Sequence, residues 1–153
     1  SVLFNKYIDA NDKHLLKFES VDNSGNGYSL SSNYKDIYAS YMVELISSAE
    51  KMIILVDNYC NAKILTLLDN RKEGVNAMIY TKYDKKFEDA LEQHNKQYPE
   101  IKRVQVPHKI HDRFLIVDSI VYILGNSLKD MGNTMSAVLP TPFTSEEVLS
   151  KLR

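Results

Sequence analysis

Residues 108–127 read HKIHDRFLIVDSIVYILGNS, and within them His111, Arg113 and Asp118 set a titratable ring, a permanent cation and a carboxylate beside two almost wholly apolar runs. Side chains two apart in a strand share a face, so an extended segment here points His111 and Arg113 the same way, followed by Leu115 and Val117. Imidazole titrates near neutrality, and as the neutral ring it attacks an electrophile or takes a proton. Guanidinium stays charged and offers a planar fork that matches two phosphate oxygens. Side by side the two suit a phosphoryl group, whose negative charge must be neutralised before a nucleophile can approach. Asp118 has the opposite parity and falls where FLIVD turns back into VYILG. Two roles are open to it: a turn former that bonds nearby backbone amides, or a carboxylate that orients His111 or Arg113.

The elements that must position these residues follow from hydrophobic periodicity. Tyr34, Ile37, Tyr38, Tyr41, Met42, Leu45 and Ile46 recur at the three-and-four spacing of one helix face, with Ser32 or Asn33 available as the cap. KMIILVD is a short β-branched run, the pattern of a strand buried on both faces. A helix near 61–71, a strand VNAMIY at 75–80, a helix near 84–97 and a strand RVQV ending at Pro107 follow in turn. Strands alternating with helices of this length predict crossover units and an α/β fold with a mixed, largely parallel sheet covered on both sides. FLIVD and VYILG form a tight hairpin, TMSAVLP adds a strand, and T-S-E-E at 144–147 has the capping-box spacing of a last helix. The segment 1–33, with its glycine, serine and asparagine loop VDNSGNGYSLSSN, is expected to be an extension of the domain at 34–153. That loop lacks the Gly-Lys-Ser/Thr ending of a phosphate-cradling loop.

Composition bounds the function. The chain has 153 residues, 44% apolar and 25% charged, which suits one domain with its own core. Nineteen basic residues against twenty acidic ones leave a formal charge of -1, so nucleic acid or an anionic surface must be met by a local patch. The single cysteine, Cys60, cannot close an internal disulfide, and a reducing cytoplasm is the expected compartment. No apolar run reaches transmembrane length, and no amphipathic basic helix suggests a lipid surface. A chain that opens on Ser1 without methionine is expected to be a piece of a longer protein or to carry a trimmed tag.

The motif itself resembles a known signature. His111, one residue, Arg113, four residues, Asp118, six residues, Gly125 is similar to that of the phospholipase D superfamily, which runs His-x-Lys, four residues, Asp, six residues, Gly-Ser-x-Asn. KMIILVDNYC resembles the strand that opens that fold, and the length is that of a single-motif, endonuclease-like member. HDRFLIVD followed by GNSLKDMG is also similar to the C-terminal domain of some phage antirepressor-like proteins, where it lies downstream of a DNA-binding module. The sequence departs from the signature at three positions: Arg113 stands for lysine, Asn126 for serine and Leu128 for asparagine, with Ser127 able to serve if the loop slides by one residue.

The resemblance implies a three-layer α/β/α phospholipase D-like fold and a metal-independent phosphodiesterase acting on nucleic acid. One histidine attacks phosphorus to form a phosphohistidine, a second protonates the leaving oxygen, and water releases the product. One motif per chain then implies a homodimer with a His111 from each subunit facing the other across an isologous interface. Arg113 would clamp the phosphate, Gly125, Asn126 and Ser127 would donate hydrogen bonds, and Asp118 would support the pair. His108 and Lys109 sit just outside and would touch neighbouring phosphates. The altered positions favour the alternative, a non-catalytic dimerisation and phosphate- or DNA-binding module of a prophage-type regulatory protein, while the intact histidine favours the phosphodiesterase. Neither reading calls for a cofactor or a metal.

Other features carry weaker signals. Between residues 94 and 113, five cations (Lys96, Lys102, Arg103, Lys109, Arg113) against two acids (Glu100, Asp112) leave an excess of three, the charge of a backbone-tracking patch or of a solvated edge. His94 lies on the apolar face with Phe87, Ala90 and Leu91 and is expected to be partly buried. Asp57 and Cys60 fall at the carboxyl end of the first strand, where open α/β sheets bind ligands, but without a histidine or second cysteine nearby they form neither a metal site nor an activated nucleophile.

Overall fold

The apolar runs of the sequence become six strands of one sheet. In a computed structural model, the backbone is described for residues 30–107, 110–130 and 137–153, and side chains from residue 39 onward. Helix α1 spans Leu30–Ser47, β1 Met52–Val56, α2 Ala62–Leu68, β2 Asn76–Thr81, α3 Lys85–Gln97 and β3 Ile101–Gln105. The hairpin follows as β4 (Arg113–Val117) and β5 (Ile120–Leu124), then a 3-10 turn at Leu128–Asp130, β6 (Val138–Pro140) and α4 (Ser145–Ser150).

The sheet order is β3-β2-β1-β4-β5-β6. β1 pairs parallel with β2 and β2 with β3, through helices α2 and α3. β4 then joins β1 antiparallel, and β5 and β6 continue antiparallel. The sheet is mixed as expected, but only its first half is parallel, because the hairpin and β6 add three reversed neighbours to the two crossover units. The result is the expected α/β fold, a six-stranded mixed sheet flanked by helices.

Side chains divide by strand parity. Ile53 and Leu55 of β1, Leu115 and Val117 of β4 and Tyr122 and Leu124 of β5 pack with Met42 and Ile46 of α1, Ile64 and Leu68 of α2 and Phe87 and Leu91 of α3. The opposite parity, with Ile54, Val56, Ile116 and Val121, packs against Val148, Leu149 and Leu152 from the C-terminal helix and the residues that follow it. Burying each such aliphatic side chain contributes about 1.5–3 kcal/mol.

Local signals set the helix ends. Asn61 caps α2 through the amide of Lys63, and Asp84 caps α3 through that of Phe87. Thr144 and Glu147 close the expected capping box. Ser32 and Asn33, the expected cap positions, lie inside α1, whose backbone begins at Leu30. Gly74, at φ 84°, takes the left-handed turn between α2 and β2.

At the end of the sheet where β2 and β3 begin, His94 is buried. Its Nε2 lies 2.8 and 2.9 Å from the two carboxylate oxygens of Asp69, and its ring stacks on Tyr98 at 5.2 Å. His94 is therefore a clamp between the C-terminal ends of α2 and α3, in line with the expected partly buried position.

Asp118 closes the turn between β4 and β5 in the left-handed region, at φ 54°. Its carboxylate accepts from the amides of Glu50 (3.0 Å), Lys51 (2.7 Å) and Met52 (3.1 Å), which open β1. Partial burial opposes ionisation, but those three amides outweigh it and hold the Asp118 carboxyl below the usual 3.8. A carboxyl whose pKa is depressed by folding stabilises the protein above its unfolded value, and the gain disappears as pH falls through the lower folded value. Asp118→Ala is expected to lower the unfolding free energy at pH 7 by about 1–3 kcal/mol, read by urea denaturation. The gap between wild type and variant should narrow as pH falls below the usual carboxyl value of 3.8. Equal stability at pH 7 would show that the three amides are as well served by water.

Candidate anion site at the strand ends

The C-terminal ends of the parallel strands, the start of β4 and the end of β5 meet on one rim of the sheet. Arg113 is the first residue of β4 and pairs with Leu124 of β5, so the turn from Gly125 to Leu128 leaves the sheet beside it. The strand does not extend back to His111, as its alternation predicts. His111 precedes β4, its side chain 95% exposed, with Nδ1 3.3 Å from Oδ1 of the neighbouring Asp112. Asn58 holds the preceding stretch in place by donating through Nδ2 to the carbonyl of Ile110.

At the centre of the rim is Asp57, which the sequence places at a ligand-binding strand end without assigning it a role. Asp57 directly follows β1 and is 1% exposed. Its Oδ1 accepts from the Tyr59 amide at 3.0 Å and lies 3.9 Å from Nε of Arg113. Its Oδ2 accepts from the Ser127 hydroxyl at 2.8 Å and the Leu128 amide at 2.9 Å. Burial pushes the Asp57 carboxyl above the usual 3.8, and the amides of Tyr59 and Leu128, the Ser127 hydroxyl and the Arg113 charge oppose that without cancelling it. The signal for it was a carboxylate closing an otherwise apolar buried strand, KMIILVD, which leaves an acid beside the core with only its immediate neighbours to satisfy it.

The remaining expected site residues divide. Arg113 sits at the rim, partly exposed, on the Leu115 face and in reach of Asp57. Ser127 is buried and turned inward, its Oγ also 2.9 Å from the Tyr59 carbonyl. Asn126 spends Oδ1 on the Ser127 amide, and the Gly125 amide donates to the Ala137 carbonyl at 2.8 Å. The Gly125 amide and the Ser127 hydroxyl are thus engaged within the fold, while Asn126 uses its acceptor oxygen, not its Nδ2 donor, in the bond to Ser127. Asp118 takes the first of its two roles, bonding amides at the far end of β4, and does not reach His111 or Arg113 of its own chain. His108 and Lys109 lie outside the described residues.

Cys60 lies beside Asp57, where burial pushes its thiol up to about 12, and so it is an inert neighbour. Among the described residues, the basic run at 94–113 is divided between the two ends of the sheet. Lys96 pairs with Glu92 near the C-terminal end of α3, and Arg103 pairs with Glu88 at 2.8 Å. The rim instead offers Lys82, whose Nζ is 5.6 Å from the centre of the Tyr59 ring, together with exposed Tyr59 and Tyr83. Among the described residues, no group of three or more His, Cys, Asp or Glu side chains converges as a metal site, and no helix is long and apolar enough to cross a membrane.

No protein-family model matches the chain, and no curated protein matches it. Solved structures do. NucT from Helicobacter pylori aligns with a TM-score of 0.54 at 17% identity, over 78% of this chain and 86% of that one. TrmBL2, an archaeal chromatin protein whose structure is described as showing a novel mode of DNA binding, aligns with a TM-score of 0.46 at 16% identity, over 75% of this chain and 42% of that one. At 17% identity the likeness to NucT is one of fold, and at that level it agrees with the α/β arrangement expected from the sequence.

Proposed function

We propose that the domain grips phosphodiester groups of nucleic acid at the rim formed by His111 and Arg113, as a twofold homodimer in which the two His111 rings face each other. The observation that carries this reading is the pairing of a solvent-exposed imidazole with a partly exposed guanidinium on one rim, at the spacing of the phospholipase D signature. Arg113 supplies the fork for phosphate oxygens. Tyr59, Tyr83 and Lys82 add aromatic faces and a cation on the same rim, the combination on which single strands stack and track. The similarity of HDRFLIVD and GNSLKDMG to a phage antirepressor domain fits a binding module in a prophage-type regulator.

The second reading, turnover through a phosphohistidine, is favoured by the ring of His111, which is free on one side for a partner subunit and has a cation two residues away. Against it stand the inward-turned Ser127 and the Asp57 carboxylate beside Arg113, which offsets part of the charge available to a transition state.

Three outcomes follow. Binding of a single-stranded oligonucleotide, read by fluorescence anisotropy, should weaken with salt, and Arg113→Ala should reduce it by roughly tenfold or more, the size of one lost charged hydrogen bond. Lys96→Ala should leave it unchanged; equal losses would mean that the attraction is diffuse. Light scattering on the purified chain in the tens of micromolar should give a dimer, and a strict monomer would rule out the facing-histidine arrangement. If the second reading holds, bis(p-nitrophenyl) phosphate is hydrolysed in EDTA with a bell-shaped pH profile near neutrality, and His111→Ala abolishes it. Silence of both wild type and Arg113→Lys, with oligonucleotide binding intact, leaves recognition as the function.

A further inference from the structure

The hydrogen bonds around Asp57 have room for one more proton. The Ser127 hydroxyl stands between two acceptors, Oδ2 of Asp57 at 2.8 Å and the Tyr59 carbonyl at 2.9 Å, and has a single proton to give. With Asp57 ionised, that proton goes to the charged oxygen and the carbonyl is left short. With Asp57 protonated, Oδ2 donates to Oγ, Oγ donates to the Tyr59 carbonyl, and the chain is complete. Charge balance points the same way, because an ionised Asp57 draws on Arg113, the cation an oxyanion would need.

We infer that binding of an oxyanion at Arg113 draws one proton from solvent onto Asp57, so that this carboxylate both positions the guanidinium and sets the pH range in which the anion is held. The inference rests on the reading of Arg113 as an anion site. The groups that face Asp57 among the described residues are Arg113 from β4, Ser127 and the Leu128 amide from the turn after β5, and Tyr59 and the neutral Cys60 thiol from the loop after β1. An anion added to this set leaves the ionised carboxylate beside a second negative charge, which raises its proton affinity. Binding and protonation then favour each other reciprocally. The burial that already lifts the Asp57 carboxyl above 3.8 moves the coupling to higher pH than an exposed carboxyl would give. The anion is held most tightly at pH below the pKa of Asp57 in the free protein. Its affinity falls as pH rises between the free and bound values, and levels off above.

Sulfate is the suitable probe, since its own charge is constant across the working range. Calorimetric titration of the full chain at mildly acidic pH, in buffers of different ionisation enthalpy, should show proton uptake on binding, and affinity should fall by up to roughly tenfold per pH unit through the window. His111→Gln, even where it weakens sulfate binding, should still take up a proton with each sulfate bound. Asp57→Asn, which mimics the protonated carboxyl, should lose it and bind sulfate at pH 7.5 more tightly than wild type. Should Asp57→Asn fail to fold, the carboxyl carbon-13 signal of Asp57 in the wild type gives the answer, moving to the protonated position as sulfate is added. Sulfate bound without proton uptake, or uptake that vanishes in His111→Gln and persists in Asp57→Asn, overturns the inference and leaves the anion site standing. No sulfate binding at any pH overturns both.

Discussion

Strands β1 and β4 meet antiparallel at the centre of the sheet, and each is followed directly by a carboxylate that reaches across to the start of the other. Asp57 leaves β1 and lies against Arg113, which opens β4; Asp118 leaves β4 and takes the three amides that open β1. This reciprocal seam joins the parallel half of the sheet to the antiparallel half. The candidate site exists because one of its two ends is also the rim where four strands release their chain.

The same chemical group behaves oppositely at the two ends. Asp118 meets three peptide N–H donors while staying partly hydrated, so ionisation is favoured. Asp57 has two such donors and a hydroxyl but is sealed between the core and the turn after β5, so burial prevails and the neutral form gains ground. Donor count and solvent access, rather than any difference in the acid, make one a fixed latch and the other a group that responds to its surroundings.

What was legible in the sequence was what depends on near neighbours. The periodicity of α3, the capping box at Thr144 and Glu147 and the turn at Asp118–Ser119 are all settled within a few residues, and each appears where its pattern places it. The meeting of Arg113 with Asp57 and of Ser127 with the same oxygen is set by strand order, which brings together positions 56 and 70 residues apart in a way no local pattern records. For the same reason the sequence leaves the basic run at 94–113 open between one patch and a solvated edge: α3 turns back along the sheet, so Lys96 and Arg113 belong to different ends of it. The sequence places Asp57 at a ligand-binding strand end but gives it no role, because its importance lies in its burial, and burial is a property of the assembled sheet.

The four residues between Arg113 and Asp118 act as a ruler. They are Phe114 to Val117, the body of β4, and their length lets one end of the strand stand at the rim while the other docks on the opening of β1. Because successive side chains alternate between faces, one residue inserted between them would keep Asp118 on its amides only by rotating Arg113 to the opposite face, into the company of Phe114 and away from Asp57. A deletion would do the same from the other direction. The interval in the motif is thus a mechanical tolerance of the sheet, and a chain free to vary the chemistry at either end of β4 is not free to vary the distance between them.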